Sequence, residues 1–544
     1  MKFRKSTPFP EMQNSLLFQL FAENNLRCLS LAIAGIFFLS FISNAQPGTV
    51  ASWDKISALQ GNFQLPFNSF TRLGIGTACI GDIDNNGVSD LAVHSRQPGT
   101  GEGIVNILFM NTDGTVISYT QIGRNLGGLD GTFGSMTSFG FAIAGIGDIN
   151  TDGVPDIVVG NNLGGAGGEI FTIMLNSNGT VNFFHRITEG LGFNGNLDSN
   201  DSFGCAVANI GDFNNDGVND IAVGARGDDD GGSLARGAVW ILPLTSQGTI
   251  AIGQQKISQT TGGFTGTLLT QCIFGSAITC LGDLNGDGAN DIAVGAPGDT
   301  ETGIGKGAVW ILFLNANGTV QSEQKINDQN GGFSDTLDVN CFFGNSLSAL
   351  GDINGDNIGD LAISGVGQDE GGESRGAIWI TFLNSDGTVS TAQKISSIAG
   401  NFTAQISDNE NFGSSISALG DFNGDNIYDI VVGVPANDDG FEEAGAIYLI
   451  YLNGDDVAGN ASRPSPSFVV YPNPSENWIS LRFTKEERNA ANLIVTDIAG
   501  REIIKKHMPS LANQKLDVSE LVPGTYQICI LGKFGNYFQR LIIN

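Results

Sequence analysis

The chain has 544 residues, of which 77 are Gly, about 14% against a usual ~7%, and only 15% are charged against a usual ~25%. Asp and Glu number 56 against 26 Lys and Arg, a formal charge of -30, which argues against nucleic acid as a partner because phosphate binding needs clustered cations. Residues 46–463 carry -34 while both flanks are slightly positive, and a hydrophobic fraction of 41% supports several cores, so three regions are expected rather than one domain or a disordered chain.

Lys2, Arg4, Lys5 and Arg27 precede an apolar run from Leu29 to Ile42, which ends in the small polar residues Ser43-Asn44-Ala45. This pattern reads as a signal peptide over 1–45, with Met12 an alternative start. Fourteen apolar residues span only about 21 Å as a helix, short of the ~30 Å hydrocarbon layer, so no transmembrane anchor is expected. The six cysteines beyond it, at 79, 205, 272, 280, 341 and 529, show neither zinc-site nor disulfide-framework spacing. They read as buried small apolar residues, with Cys272 and Cys341 at one place in two repeats and Cys79 and Cys280 at another.

One nine-residue pattern recurs six times and decides the fold. It reads Asp82-Ile-Asp84-Asn-Asn86-Gly87-Val88-Ser-Asp90, Asp148-Ile-Asn150-Thr-Asp152-Gly153-Val154-Pro-Asp156 and Asp212-Phe-Asn214-Asn-Asp216-Gly217-Val218-Asn-Asp220. The remaining three are Asp283-Leu-Asn285-Gly-Asp287-Gly288-Ala289-Asn-Asp291, Asp352-Ile-Asn354-Gly-Asp356-Asn357-Ile358-Gly-Asp360 and Asp421-Phe-Asn423-Gly-Asp425-Asn426-Ile427-Tyr-Asp429. First aspartates are spaced by 66, 64, 71, 69 and 69 residues, a period that suits four short strands and their loops. In the fourth repeat these are the apolar stretches around 274–282, 292–297, 307–314 and 319–326.

Gly48-Thr-Val50 to Lys55-Ile-Ser57 matches the fourth-strand text of later repeats, yet no first, second or third strand precedes it. The last unit meanwhile stops after its third strand, at Asn453. The N-terminal strand is therefore expected to complete the last blade of an all-β, six-bladed β-propeller, closing a ring over residues 46–455. A seventh blade is the alternative, but the even spacing leaves no gap for it.

Phe-Gly pairs at 139, 203, 274, 343 and 412, the acidic loops, and Gly-Ala-Pro at 295–297 with Gly-Val-Pro at 433–435 resemble FG-GAP repeats, the unit of the integrin alpha-chain β-propeller. The chain departs from that pattern in having six repeats against the integrin seven. It departs again in repeats one and two, where Ala-Val-His94 and Gly160-Asn-Asn replace Gly-Ala-Pro.

Each acidic loop offers side-chain oxygens at positions one, three, five and nine, and a backbone carbonyl at seven from Val88, Val154, Val218, Ala289, Ile358 or Ile427. Position six is Gly, or Asn357 and Asn426, residues that tolerate a left-handed turn. Calcium is the fitting ion, since it takes six to eight oxygens in loose geometry whereas magnesium demands a strict octahedron. Strands follow position nine, so a calcium-binding hairpin loop is expected, one ion per loop and up to six in all. Three carboxylates per loop leave about -1 once a divalent ion binds, so the ion is expected to be structural. Asx-rich turns without metal are the plainer reading, but turn chemistry alone does not demand acids at these spacings.

Strand alternation places the acidic loops and the Asn-x-x-Gly turns on one face and the longer, more variable loops on the other. Segments 224–236, 295–306, 365–375 and 433–444 are where recognition is expected. Trp240, Trp310, Trp379 and Tyr448 share one register and read as packing between blades. His94, His185 and His507 do not recur beside a nucleophile, and no Gly-rich loop joins a strand to a helix, so no enzyme is expected.

After a linker over 456–467, short apolar stretches from Phe468 onward read as a small β-sandwich. Tyr471-Pro-Asn-Pro474 through Arg540-Leu-Ile-Ile543 resembles the C-terminal sorting domain of type IX secretion, type A. The resemblance implies contact with that secretion machinery and a location outside the outer membrane, secreted or on the cell surface. The whole reads as a monomeric, exported binding or adhesion module for an extracellular protein or glycan. A secreted hydrolase or its substrate-binding subunit, and a structural surface-layer component, are the alternatives.

Overall fold

The computed structural model describes residues 46–454 apart from 132, 166 and 231–234, together with the strands between 468 and 543 and a few residues beside them. The expected signal peptide and linker lie outside the described residues. A first strand β1 (Val50–Ile56) is followed by six units, the last of which has three strands of its own. The first holds β2 (Thr77–Gly81), β3 (Asp90–Arg96), β4 (Gly103–Met110) and β5 (Val116–Ile122). The second holds β6 (Ile143–Gly147), β7 (Asp156–Asn161), β8 (Glu169–Leu175) and β9 (Val181–Glu189), with an added parallel β10 (Gly192–Phe193). The third holds β11 (Phe203–Gly211), β12 (Asp220–Ala225), β13 (Ala238–Leu242) and β14 (Gln255–Ile257), and the fourth β15 (Ile278–Gly282), β16 (Asp291–Ala296), β17 (Ala308–Leu314) and β18 (Val320–Ile326). The fifth holds β19 (Phe343–Gly351), β20 (Asp360–Gly365), β21 (Ala377–Leu383) and β22 (Val389–Ser396), and the last β23 (Ser415–Gly420), β24 (Asp429–Val434) and β25 (Ala446–Leu452).

The missing fourth strand of the last sheet is β1, which pairs antiparallel with β25 from Val50 opposite Leu452 to Ile56 opposite Ile447. The fold is a six-bladed all-β propeller, closed by its own N-terminus. In each blade the two central strands are buried on both sides by neighbouring blades, which is why Ala308–Leu314 is apolar throughout. Outer strands face solvent, so Val320–Ile326 is buried only at its two ends and exposed or half-buried between them. Blade three departs from this, for Pro243 offers no N–H and its outer strand shrinks to three residues.

Trp240, Trp310, Trp379 and Tyr448 are buried between blades, edge-on to Phe193, Phe264, Phe333 and Phe402 at 5.0, 5.0, 5.9 and 5.6 Å. The six inner strands surround a central cavity of about 340 Å³. Around half of it hydroxyls tie one blade to the next: Thr279 accepts from Ala349 N–H at 3.1 Å, Ser348 from Ala418 N–H at 2.8 Å and Ser417 from Cys79 N–H at 3.2 Å. Ala78, Ala144 and Ala208 hold that register in the other half. Cys272 and Cys341 are buried free thiols at equivalent places, while Cys79 and Cys280 face the cavity.

The C-terminal region forms two sheets. Strands β26 (Phe468–Tyr471), β27 (Trp478–Phe483) and β30 (Gln514–Asp517) make one. The other runs β29 (Glu502–Met508), β28 (Ala491–Asp497), β31 (Gly524–Gly532) and β32 (Gly535–Ile543). Ile479 and Leu481 from the first meet Leu493, Val495 and Ile528 from the second in one core, the packing of a sandwich. Among the described residues no helix is long and apolar enough to cross a membrane.

Candidate metal centre

All six acidic loops join the first strand of a blade to its second. The chain turns twice through left-handed backbone, at position six, where Gly87 has φ 90° and Asn357 and Asn426 have φ 68°, and also at position four. Position four is Asn85, Thr151, Asn215, Gly286, Gly355 or Gly424, with φ between 60° and 81°. The sequence reading missed this second requirement, although the Asn or Gly at five of six fourth positions signals it. Loops five and six, which have Asn at six, have Gly at four.

The first aspartate gathers the turn's amides. Asp148 accepts from Asp152 and Gly153 N–H at 3.0 and 2.8 Å, and Asp82, Asp212, Asp283 and Asp352 repeat the pattern. Position nine is buried completely in every loop. One carboxylate oxygen of Asp90 accepts from Ile83 N–H and the other from Met110 N–H, both at 2.9 Å, and Asp156, Asp220, Asp291, Asp360 and Asp429 do the same. The ninth residue thus ties its loop to the end of the blade's third strand.

Burial pushes these carboxyl groups up, to about 6 in Asp90 and Asp291 and about 7 in Asp156, Asp360 and Asp429, against the pull of the amides. Aspartates earlier in each loop add to the rise, as Asp82 and Asp84 do for Asp90. A buried acid facing two further carboxylates is a donor set lacking positive charge, and hard oxygen donors of this number suit calcium. In loop one, oxygens of Asp82, Asp84 and Asp90 all lie within 4.8 Å of one another. Residues expected as ligands are therefore side by side there. In loops two to six Asn donates from Nδ2 to the Asp at position five, at 2.9–3.0 Å.

The opposite end of four blades, the third to the sixth, carries a second repeated arrangement that the sequence reading did not single out. Lys55, Lys256, Lys325 and Lys394 on the outer strands lie 5.2–5.5 Å over Tyr448, Trp240, Trp310 and Trp379. Each is paired with carboxylates of the variable loops, Asp439, Asp228, Asp299 and Glu370 among them, at 2.6–2.9 Å. Burial alone would depress Lys256, but hydrogen bonds and charge from Asp228 and Asp230 outweigh it and raise its pKa. Much of that face's acidity is thus internally neutralised.

Residues 203–242, 274–312 and 412–450 match the FG-GAP repeat, and residues 469–544 match the secretion system C-terminal sorting domain. The chain carries FG-GAP repeats and a sorting domain. It is 45% identical to mouse integrin alpha-2 over 97 residues, 18% of this chain and 8% of that protein. Human integrin alpha-6 is 36% identical over 174 residues, 31% and 13% of the two chains. Human phosphatidylinositol-glycan-specific phospholipase D is 30% identical over 198 residues, 36% of this chain and 22% of that protein. The chain therefore spans less than a quarter of the length of these relatives. The sorting domain marks the protein for export to the cell surface or beyond.

Proposed function

We propose that this FG-GAP protein is a calcium-stabilised binding module, exported by type IX secretion, that holds an extracellular protein or glycan on the face opposite its acidic loops. One observation carries the reading. Nine exposed large apolar side chains lie on that face: Leu59, Phe70, Leu163, Leu191, Ile304, Val339, Phe342, Ile398 and Phe441. Soluble surfaces rarely group such residues unless something binds there. Two pairs of them meet at blade boundaries, since Phe70 N–H bonds to Glu442 O beside Phe441 at 2.8 Å, and Phe342 N–H to Gly305 O beside Ile304 at 2.8 Å. Phe70 and Phe342 hold left-handed backbone, φ 67° and 57°, a strained conformation for a bulky residue.

The acidic loops fit as structural calcium sites on the other face, with Asp82, Asp84, Asn86, Val88 O and Asp90 the donors of the first and the matching positions those of the rest. Bound calcium there supplies charge compensation to carboxylates that otherwise repel. The test is adhesion of the purified propeller to arrays of extracellular proteins and glycans, with calcium present. Phe70→Ser and Phe342→Ser should each weaken whatever binding appears; ligands that survive both changes, or no ligand at all, would count against this face. A role beside a hydrolase draws on the phospholipase D likeness, and turnover of phosphodiesters or polysaccharides by the purified chain would favour it.

A further inference from the structure

We infer that the loop Asp82–Asp90 takes calcium before the other five and that the ion there holds the ring's seam shut. This rests on the calcium reading above. Moving one acid from position five to position three changes the loop's wiring. In loops two to six the Asn amide at three already donates to the Asp at five, so an arriving cation meets a carboxylate partly compensated by its neighbour. In loop one Asn86 turns its amide away, donating from Nδ2 to Met110 O at 3.1 Å. Asp84 is left facing Asp82 and Asp90 with all three oxygens within 4.8 Å, the one such convergence of acids among the described residues. Coulomb attraction for a divalent ion grows with the number of charges at close range, so this site fills first.

Its position gives the ion a second effect. Blade one meets blade six, the blade completed by β1, through inner-strand bonds such as Thr77 Oγ1 to Ser415 Oγ at 3.0 Å and through the apolar cluster that β1 also enters. Val88, whose carbonyl is a donor, packs into the cluster that contains Leu419, Val431, Leu449 and Tyr451 of blade six and Ile56 of β1. Beside it, the turn at Gly114 leaves no room for a Cβ against Asp54 Oδ2 and the Tyr451 hydroxyl, at 2.8 and 2.9 Å, and those two groups hydrogen-bond at 2.9 Å. Fixing loop one fixes Val88 and the floor of the seam.

The test uses the mature chain and calcium alone, followed by calorimetric titration and by hydrogen exchange of residues 50–56 at each calcium level. The informative variant is Asp84→Asn with Asn86→Asp, which gives loop one the acid order of the others and keeps three carboxylates. It should weaken the first equivalent roughly tenfold and delay protection of β1 to higher calcium. Asp152→Asn should leave the first equivalent and β1 protection intact and weaken a later one. If the first equivalent survives the swap, or β1 protection ignores calcium, loop one has no special role although the calcium reading stands. No calcium uptake by the unmodified chain overturns both.

Discussion

Gly76 and His94 are a cross-strand pair in which side chain and space have exchanged places. His94 N–H bonds to Gly76 O at 2.9 Å, as Gly160 N–H does to Ala142 O and Gly295 N–H to Ala277 O, both at 2.8 Å. In those later blades the inner strand has the methyl and the second strand the glycine. The reason is the neighbouring blade: a Cβ on Gly160 or Gly295 would come within 2.0 Å of Gly204 O or Gly344 O. In blade one the carbonyl of Gly140 lies against Gly76 instead, 2.4 Å from where a Cβ would be, and the imidazole of His94 packs edge-on to Phe141 at 4.8 Å. Gly76→Ala and Gly295→Ala should each destabilise the propeller by roughly 3 kcal/mol, since a carbonyl cannot yield as a side chain can. Urea unfolding measures this, with Gly288→Ala as control: nothing lies within 4 Å there and only the backbone cost of φ 93°, about 1 kcal/mol, is expected. Equal losses at all three positions would reject the close approach as the cause.

Ring closure through β1 makes a separate prediction. Without residues 46–57, β25 is a bare edge strand with Ile447, Leu449 and Tyr451 uncovered. The truncated propeller should aggregate or unfold below physiological temperature, and a synthetic peptide of residues 46–57 added in trans should restore its calcium-loaded melting temperature. A truncated protein as stable as the parent would mean that blade six does not depend on β1.

These two cases show how far sequence carries. The nine-residue repeat places each acidic loop between a first and a second strand because its aspartates and glycines can serve only a tight turn. The leftover fourth-strand text at Gly48–Ser57 identifies the closing strand. The Gly76–His94 exchange was not legible, because repeat one reads as a failed Gly-Ala-Pro until the cross-strand partner is known. The lysine-over-aromatic arrangement was equally hidden, though Lys-Ile recurs at 55, 256, 325 and 394 in register with Tyr448 and the tryptophans. Periodic text shows which residues share a place, and only pairing shows which places touch.

That arrangement predicts a stability cost at Lys394. Its Nζ lies 2.8 Å from Asp335, 2.6 Å from Glu370 and 5.4 Å over Trp379. Asp335 also accepts from Trp379 Nε1 at 2.7 Å, so its carboxylate has one fixed role besides the ion pair. Lys394→Met leaves two carboxylates facing each other and should cost about 2 kcal/mol, below the 3–5 of a fully buried pair because Asp335 is about a third exposed. Adding Glu370→Gln should recover more than half of that loss in a double-mutant cycle. Blade one shows that a neutral solution folds, for Gln121 donates to Asn106 at 3.0 Å in the same register. No recovery would place the cost in lost packing over the indole rather than in charge.

The buried ninth aspartates predict how acidity and metal interact. An aspartate carboxyl ordinarily titrates near 3.8, and burial raises these to about 6 in Asp90 and Asp291 and about 7 in Asp156, Asp360 and Asp429. A raised carboxyl binds its proton more tightly in the folded state, so the stability it contributes is complete below about pH 4 and is lost as pH climbs through 6 to 7. Metal-free propeller should therefore weaken over that window. Calcium requires the same groups deprotonated, so its stabilisation grows where theirs disappears. His94 works in the opposite sense, held down to about 3 by burial, but it acts alike with and without metal and cancels in the difference. Melting temperatures in chelator and in excess calcium should accordingly lie close together near pH 5 and far apart near pH 7.5, with the chelated protein the less stable. A gap of one size at both pH values would mean that the ninth aspartates are ionised throughout, and that the amides of the third strands, rather than a cation, balance their charge.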